Sequence, residues 1–384
     1  MSYSLIFGAD LVPTQSNEKY FVSGDARYLL GEELADYLSS GDFTCFNLET
    51  PLSEREYKPV YPGPYLGVNP ETIHAISAMK PSLLTLGNNH ALDKGEKGLE
   101  ETIEILRKAG IAYTGAGRNL EEAGKPYITE TGSSHVGIFN CTEYEFAAAS
   151  RNTWGANPYD PLVSFDQVRE LKSRCDVVIV LYHGGKEFYR YPSPQLQRVC
   201  RKFVECGADV VICQHTHCIG CEERYKNGRI IYGQGNLIFD RKENEFKKTG
   251  LLIECTVDQQ NPVSIRYIPF RKQGECVRMA SEEEAGLILA AFQQRSEEIK
   301  DEHFITEAYD RLAEQNYAHY VRELLGRNRF ADLLNRITRG RFYDHYYSAR
   351  KAAAVLNAIS TDNHAELIKA ALRLKDTVSN TTEI

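Results

Sequence analysis

Short apolar runs alternating with amphipathic helices occupy the first two thirds of this chain, and that alternation most limits its fold. The runs cover residues 5–7, 43–48, 82–86, 176–182 and 208–213, and β-branched and aromatic residues dominate several of them. Each is too short for a helix and reads as a strand buried on both faces. The intervening helices are punctuated. Asn69-Pro70 supplies an N-cap and a proline at the first helical position, with Ile73, Ile76 and Met79 along one face. Ser193-Pro194 repeats the device ahead of Leu196, Val199, Cys200 and Phe203. Gly110 and Gly207 mark helix ends. Strands that alternate with helices require an α/β core containing parallel pairs.

After His217 the grammar changes. RIIYGQGNLIF, GLLIECTV and VSIRYIPF read as successive strands without helices between them, hence an antiparallel or mixed second sheet. From about residue 281 the chain reads as almost wholly helical, with no glycine between Gly286 and Gly326 and many tyrosines and arginines. The expected organisation is a core domain over 1–275 and a helical C-terminal region over 281–384, a surface for a protein partner or for self-association.

Residues of metal-ligand type recur where the apolar runs end. Asp10 follows SLIFGA, Asn47 and Glu49 close FTCFNLE, and Asn88, Asn89 and His90 follow SLLTLG. His183 follows DVVIVLY, and His215 with His217 follows ADVVICQ. In an α/β sheet the carboxyl ends of the strands share one edge, where ligands bind. One such residue can be a turn former, as Asn-Asn often is; five segments in succession point to a common site. Mixed carboxylate, amide and imidazole donors suit divalent Mn, Zn or Fe. Six donors are too many for one tetrahedral ion but suit two ions sharing a carboxylate.

A net charge of −8 gives no general attraction to nucleic acid or anionic lipid. An acidic chain that handles an anionic substrate must supply its positive charge locally, and a metal does that. The opening MSYSLIFGAD lacks a basic n-region and its apolar run is too short for a signal or a transmembrane segment. Ten cysteines are scattered through the chain, most of them inside apolar runs, and read as small buried hydrophobes, Cys218 and Cys221 included. The expectation is a reduced, cytoplasmic protein without a transmembrane segment.

GAD, FNLETPL, LGNNHALDKG, LYHGGKEF, QHTHCIGCE and YGQGNLIFD stand in the order found in CapA-type capsule and poly-γ-glutamate synthesis proteins, which this chain resembles over roughly residues 3–270. The resemblance implies the calcineurin-like metallophosphoesterase fold, a two-sheet αββα sandwich, with two divalent metal ions. It implies that Asp10 and His217 hold one ion, that Asn89, His183 and His215 hold the other, and that Glu49 lies between them. His90 would act as the acid that assists the leaving group, with Asp93 orienting it. Asn47, Asn88, Glu187 and Asn236 would contact substrate. The chain departs from the pattern where metallophosphoesterases generally carry Asp-x-His, because Leu11 and Val12 follow Asp10. Glu49 replaces a bridging aspartate, and Cys213-Gln214 replaces the frequent Gly-His. The Asp10 ion is thus one ligand short, and a single ion would favour the His215 side.

The implied activity is metal-dependent hydrolysis of a phosphoester on an anionic small molecule or polymer, by hydroxide formed at the metals. Two alternatives stay open: a non-catalytic binding or scaffold component of polymer synthesis, and an amide-directed hydrolase or transferase acting on a γ-glutamyl polymer.

Overall fold

The computed structural model describes residues 2–57, 64–131, 134–240, 244–258, 261–324, 328–346, 348–361, 364–365 and 367–369. Its strands in chain order are β1 (Tyr3–Val12), β2 (Phe43–Leu48), β3 (Leu83–Thr85), β4 (Ala112–Thr114), β5 (Ala116–Gly117), β6 (Tyr127–Thr131), β7 (Ser134–Thr142) and β8 (Gly155–Ala156). They continue as β9 (Val177–His183), β10 (Val210–Gln214), β11 (Glu222–Tyr225), β12 (Gly228–Ile231), β13 (Asn236–Phe239), β14 (Thr249–Asp258), β15 (Asn261–Gln273) and β16 (Cys276–Met279). One sheet runs β16-β15-β14-β1-β2-β3-β4, with β13 also paired to β1; the other runs β11-β12-β10-β9-β7-β6. The expected parallel pairs are present: β1, β2, β3 and β4 in the first sheet, and β7, β9, β10 and β12 in the second.

Side-chain alternation along the strands builds three apolar layers. Leu5, Phe7, Cys45 and Leu83 face Ile138, Ile179, Leu181 and Ile212 in the core between the sheets. Their neighbours Ile6, Phe46 and Leu84 point the other way, against the helices Glu32–Ser40 and Gly95–Lys108. Val178, Val180, Val211 and Cys213 likewise face the helices Ser164–Arg174 and Pro194–Glu205. A period of two with both faces apolar is what strands buried between two layers require. The result is the αββα sandwich. Ser193 caps the helix Pro194–Glu205 by accepting from the Leu196 N–H, and Gly207 takes the left-handed conformation just beyond it.

The strands after His217 do not form a sheet of their own. β12 joins the second sheet beside β10, whereas β13, β14 and β15 extend the first. The reason lies in one edge of β1. β14 pairs antiparallel with its Tyr3–Phe7 half, and β13 pairs parallel with Asp10, Leu11 and Val12. Two strands share that edge, so the chain must switch direction between them.

By compactness the chain divides into Met1–Thr306 and Glu307–Ile384. The first unit takes in the helix Glu282–Glu298, opened by a Ser281/Glu284 capping box. It buries Phe292 in the core between the sheets, and Ile299 and Ile305 pack with the outer layer of the second sheet. The second unit is helical where described, with Val321, Ala331 and Tyr343 as its small core and Asp332 receiving Arg322 and the Tyr343 hydroxyl. All ten cysteines are buried free thiols. Among the described residues, no helix is long and apolar enough to cross a membrane.

Candidate metal centre

Strand register assembles the site. In the first sheet Asn236, Asp10, Asn47 and Thr85 are successive register partners, and in the second Thr142, His183 and Gln214 stand in one row. Except for Asn236, which opens β13, these residues lie at or near the carboxyl ends of their strands. The two rows touch. Asn47 Nδ2 lies 3.2 Å from His183 Nδ1, the His215 N–H donates to Asp10 Oδ2 at 3.4 Å, and Gln214 Nε2 donates to the Gly8 carbonyl at 3.4 Å. His215 and His217 both have positive φ, 82° and 53°. Such strain costs about 1–2 kcal/mol per residue and persists where the surroundings hold it.

Two groups of donors result, and Glu49 belongs to both. Glu49, His183 and His215 form one; Asp10, Glu49 and His217 form the other, with donor atoms within 4.8 Å of one another in each. His183 Nε2 lies 3.0 Å from Asn89 Oδ1, 3.2 Å from His215 Nδ1 and 3.3 Å from Glu49 Oε1. His217 Nδ1 lies 3.3 Å from Asp10 Oδ2 and 2.8 Å from Asn236 Oδ1. Donors bound about 2.1 Å from one ion are separated by about 3.0–3.4 Å in octahedral or tetrahedral geometry, which these spacings match. A single imidazole proton cannot satisfy three donors around His183 Nε2, whereas a cation can. The clearest mark is Glu49: it is wholly buried, yet neither carboxylate oxygen has a hydrogen-bond partner among the described residues. A buried carboxylate left in this way is costly unless a cation joins it.

The electrostatics agree with that set. Burial drives His183 down to about 3 and His215 well below its ordinary value, so both present neutral lone pairs. Burial and the neighbouring Asp10 push Glu49 up to about 8. Burial works against the charge on Asp10, but His217, His183 and Asn47 outweigh it and hold the carboxyl at about 2. Burial opposes the His217 cation too, yet Glu49 and Asp10 raise it to about 9. Protons on Glu49 and His217 thus stand where a divalent cation would.

His90 and Asp93 form a buried pair, with Nδ1 2.6 Å from Asp93 Oδ2, which also accepts from the Leu66 N–H. Burial pulls His90 down, but Asp93 and Glu49 lift it above its ordinary value. Asn47 and Asn88 lie beneath the ligands and not at the rim. Asn47 donates to Asp10 Oδ1 and accepts from Asn88, which also donates to the Leu48 carbonyl. Glu187 is half-buried on the loop after β9, and its charge reaches Glu49, His183 and His215. Asn236 is buried against His217.

Sequence reasoning missed one segment. Glu143 and Glu145 follow β7, where Glu143 Oε1 accepts from the Gly185 N–H at 2.8 Å and Glu145 accepts from the Asn89 side chain. The signal was available, since CTEYE stands directly after the apolar run VGIFN as the other ligand segments do.

A capsule biosynthesis protein CapA of Bacillus anthracis is 28% identical over 228 residues, 57% of this chain and 56% of the relative. A PGA biosynthesis protein CapA of Bacillus subtilis is 28% identical over 207 residues, 53% and 54% of the two chains. The match thus spans little more than half the length of either relative. A probable polyglutamine synthesis accessory protein of Mycobacterium tuberculosis is 28% identical over 280 residues, 67% of this chain and 73% of that one. Among solved structures, a putative 5'-nucleotidase of Staphylococcus aureus aligns at 13% identity and a TM-score of 0.45, over 77% of this chain and 58% of that chain. The family described as bacterial capsule synthesis protein PGA_cap matches residues 4–241, more than half of the sequence, and this chain belongs to it.

Proposed function

We propose that this protein is a dinuclear metal-dependent hydrolase that cleaves a phosphoester during the making or trimming of an anionic capsule polymer. The observation that carries the reading is Glu49, a buried carboxylate without a hydrogen-bond partner among the described residues, set between two groups of metal-ligand donors. Asp10 and His217 would hold one ion, Asn89, His183 and His215 the other, with Glu49 available to both. Bound there, the metals would lower the pKa of a water to give a nucleophile at neutral pH and would neutralise charge on the reacting oxygens.

The chain's own residues supply the rest. Asp93 accepts from His90 Nδ1, which leaves the proton on Nε2 for a departing oxygen. Against burial, Asp93 also favours the protonated ring and fixes its orientation. Asn47 and Asn88 orient Asp10 from below, in the manner of outer hydrogen bonds that set ligand geometry. Glu187 and Asn236 border the space left for substrate. The polymer link comes from the family and from the names its relatives carry. The test is hydrolysis of bis(p-nitrophenyl) phosphate and p-nitrophenyl phosphate by manganese-loaded protein. Turnover lost in His90→Ala with metal content unchanged supports the reading; no bound metal and no turnover with added Mn²⁺ would end it.

A further inference from the structure

The rim of the centre is electrically divided. On the Asn89 side lie Glu143, Glu145 and Glu187, with Glu145 within electrostatic reach of Glu143, His90 and Glu187. The His217 side carries rings and cations, with Asp240 nearby paired to Lys272. Phe239 sets its ring 5.3 Å from His217, edge to face, and Phe188 lies 5.8 Å from it. Lys247 Nζ stands 4.0 Å from the centre of the Phe239 ring and 5.6 Å from that of Phe188. The Arg190 guanidinium lies 4.8 Å from the centre of the Phe246 ring, which in turn lies 6.0 Å from Phe188. Lys247 therefore stands one ring from a candidate ligand, and Arg190, which also donates to the Ile219 carbonyl at 3.0 Å, stands two rings from it through Phe246 and Phe188.

Phe188 itself is held in a conformation that bulky residues avoid, at φ 58°. Its N–H donates at 2.9 Å to the carbonyl of Thr216, the residue between the two histidines, so the loop is tied to the candidate centre. A strained aromatic residue retained at such a place indicates a positioned contact surface. Rings around a half-buried ammonium keep it charged while excluding water, and an anion there is attracted more strongly than in bulk solvent.

We propose that Phe188, Arg190, Phe246 and Lys247 form a subsite for a second anionic group of the substrate, a carboxylate or phosphate carried beside the one that reacts. The inference rests on the hydrolase reading above, which supplies the first anchor. The acidic rim opposite then receives the uncharged or cationic part of the molecule, so the polarity of the rim fixes the direction in which substrate lies. A repeating anionic chain and a small dianion share the chemistry required.

The experiment titrates the manganese-loaded full chain by calorimetry with dicarboxylates and with monocarboxylates of equal length, succinate against butyrate and glutarate against valerate. In the wild type, the better dicarboxylate binds at least tenfold more tightly than its monocarboxylate counterpart. The Lys247→Gln, Arg190→Gln double variant brings that ratio close to one, and the Lys247→Arg, Arg190→Lys variant keeps it, which separates loss of charge from loss of folding. A preference that survives in the glutamine variant overturns the subsite. Manganese measured on the same samples separates the two claims. Wild type that holds manganese but shows no preference overturns the subsite alone, and wild type that holds none overturns the hydrolase reading together with it.

Discussion

Replacing Glu49 by glutamine should stabilise the metal-free protein and destabilise the metal-loaded one. The carboxyl is wholly buried, and burial with Asp10 nearby lifts it from 4.5 to about 8. Its folded value lies above its unfolded value, so the folded state binds the extra proton. The contribution to stability is fully present below pH 4.5 and is lost as the pH rises toward 8. At pH 7 the loss spans two and a half units, about 3 kcal/mol at about 1.4 kcal/mol per unit. The amide has no proton to lose and escapes this penalty. Part of the gain is offset, because His217 owes some of its charge to Glu49; the net expectation is about 1–3 kcal/mol. Urea unfolding of chelator-treated protein at pH 5 and pH 7 measures it: the variant should exceed wild type at pH 7 and approach it at pH 5. With Mn²⁺ at a hundredfold over its dissociation constant, wild type gains about 2.7 kcal/mol that the variant, lacking the shared ligand, does not. The order of stability reverses once Mn²⁺ reaches about a thousandfold over its dissociation constant, where the gain of about 4.1 kcal/mol exceeds the variant's advantage. A metal-free variant no more stable than wild type at pH 7, or an order that manganese leaves unchanged, would refute the reasoning.

His90→Ala should lower turnover by about 10²–10⁴-fold while leaving bound metal unchanged, since the residue is proposed as acid and not as ligand; steady-state kinetics with elemental analysis checks both halves. His217→Ala should retain one ion per chain and His215→Ala should weaken the better-furnished site, which elemental analysis after desalting resolves. Phe203 is fully buried among Phe139, Tyr159, Phe165 and Tyr182, and Phe203→Ala should cost about 3–5 kcal/mol in urea unfolding. Metal uptake at pH 7 should release protons from Glu49 and His217, held at about 8 and about 9 in the metal-free site, so manganese affinity should rise with pH toward 9. Calorimetry in buffers of different ionisation enthalpy reads the protons released.

Local signals were enough to read where the candidate ligands lie. Asp10, Glu49, Asn89, His183 and His215 each stand just beyond or at the end of an apolar run, and parallel strands deliver such positions to one edge. What depends on long-range register was not legible. Asn236 becomes the neighbour of Asp10 only because β13 takes the carboxyl half of an edge whose other half belongs to β14. The same division of β1 carried the late strands into the first sheet. Asn47 and Asn88 have the composition of substrate contacts, and only their burial and their partners reveal a position below the ligands. The helix that opens the helical region packs on β15 and β11, with the Phe292 ring 4.7 Å from that of Tyr267, a placement that depends on tertiary pairing and has no local signal.

The central claim is that Glu49 lies between two divalent cations. Anomalous diffraction from crystals soaked in Mn²⁺, collected on both sides of the manganese absorption edge, tests it most directly. Two peaks flanking the Glu49 carboxylate are expected, the stronger beside His183, His215 and Asn89 and the weaker beside Asp10 and His217. Density without an anomalous peak at Glu49, or peaks only at sites that do not touch it, would contradict the account.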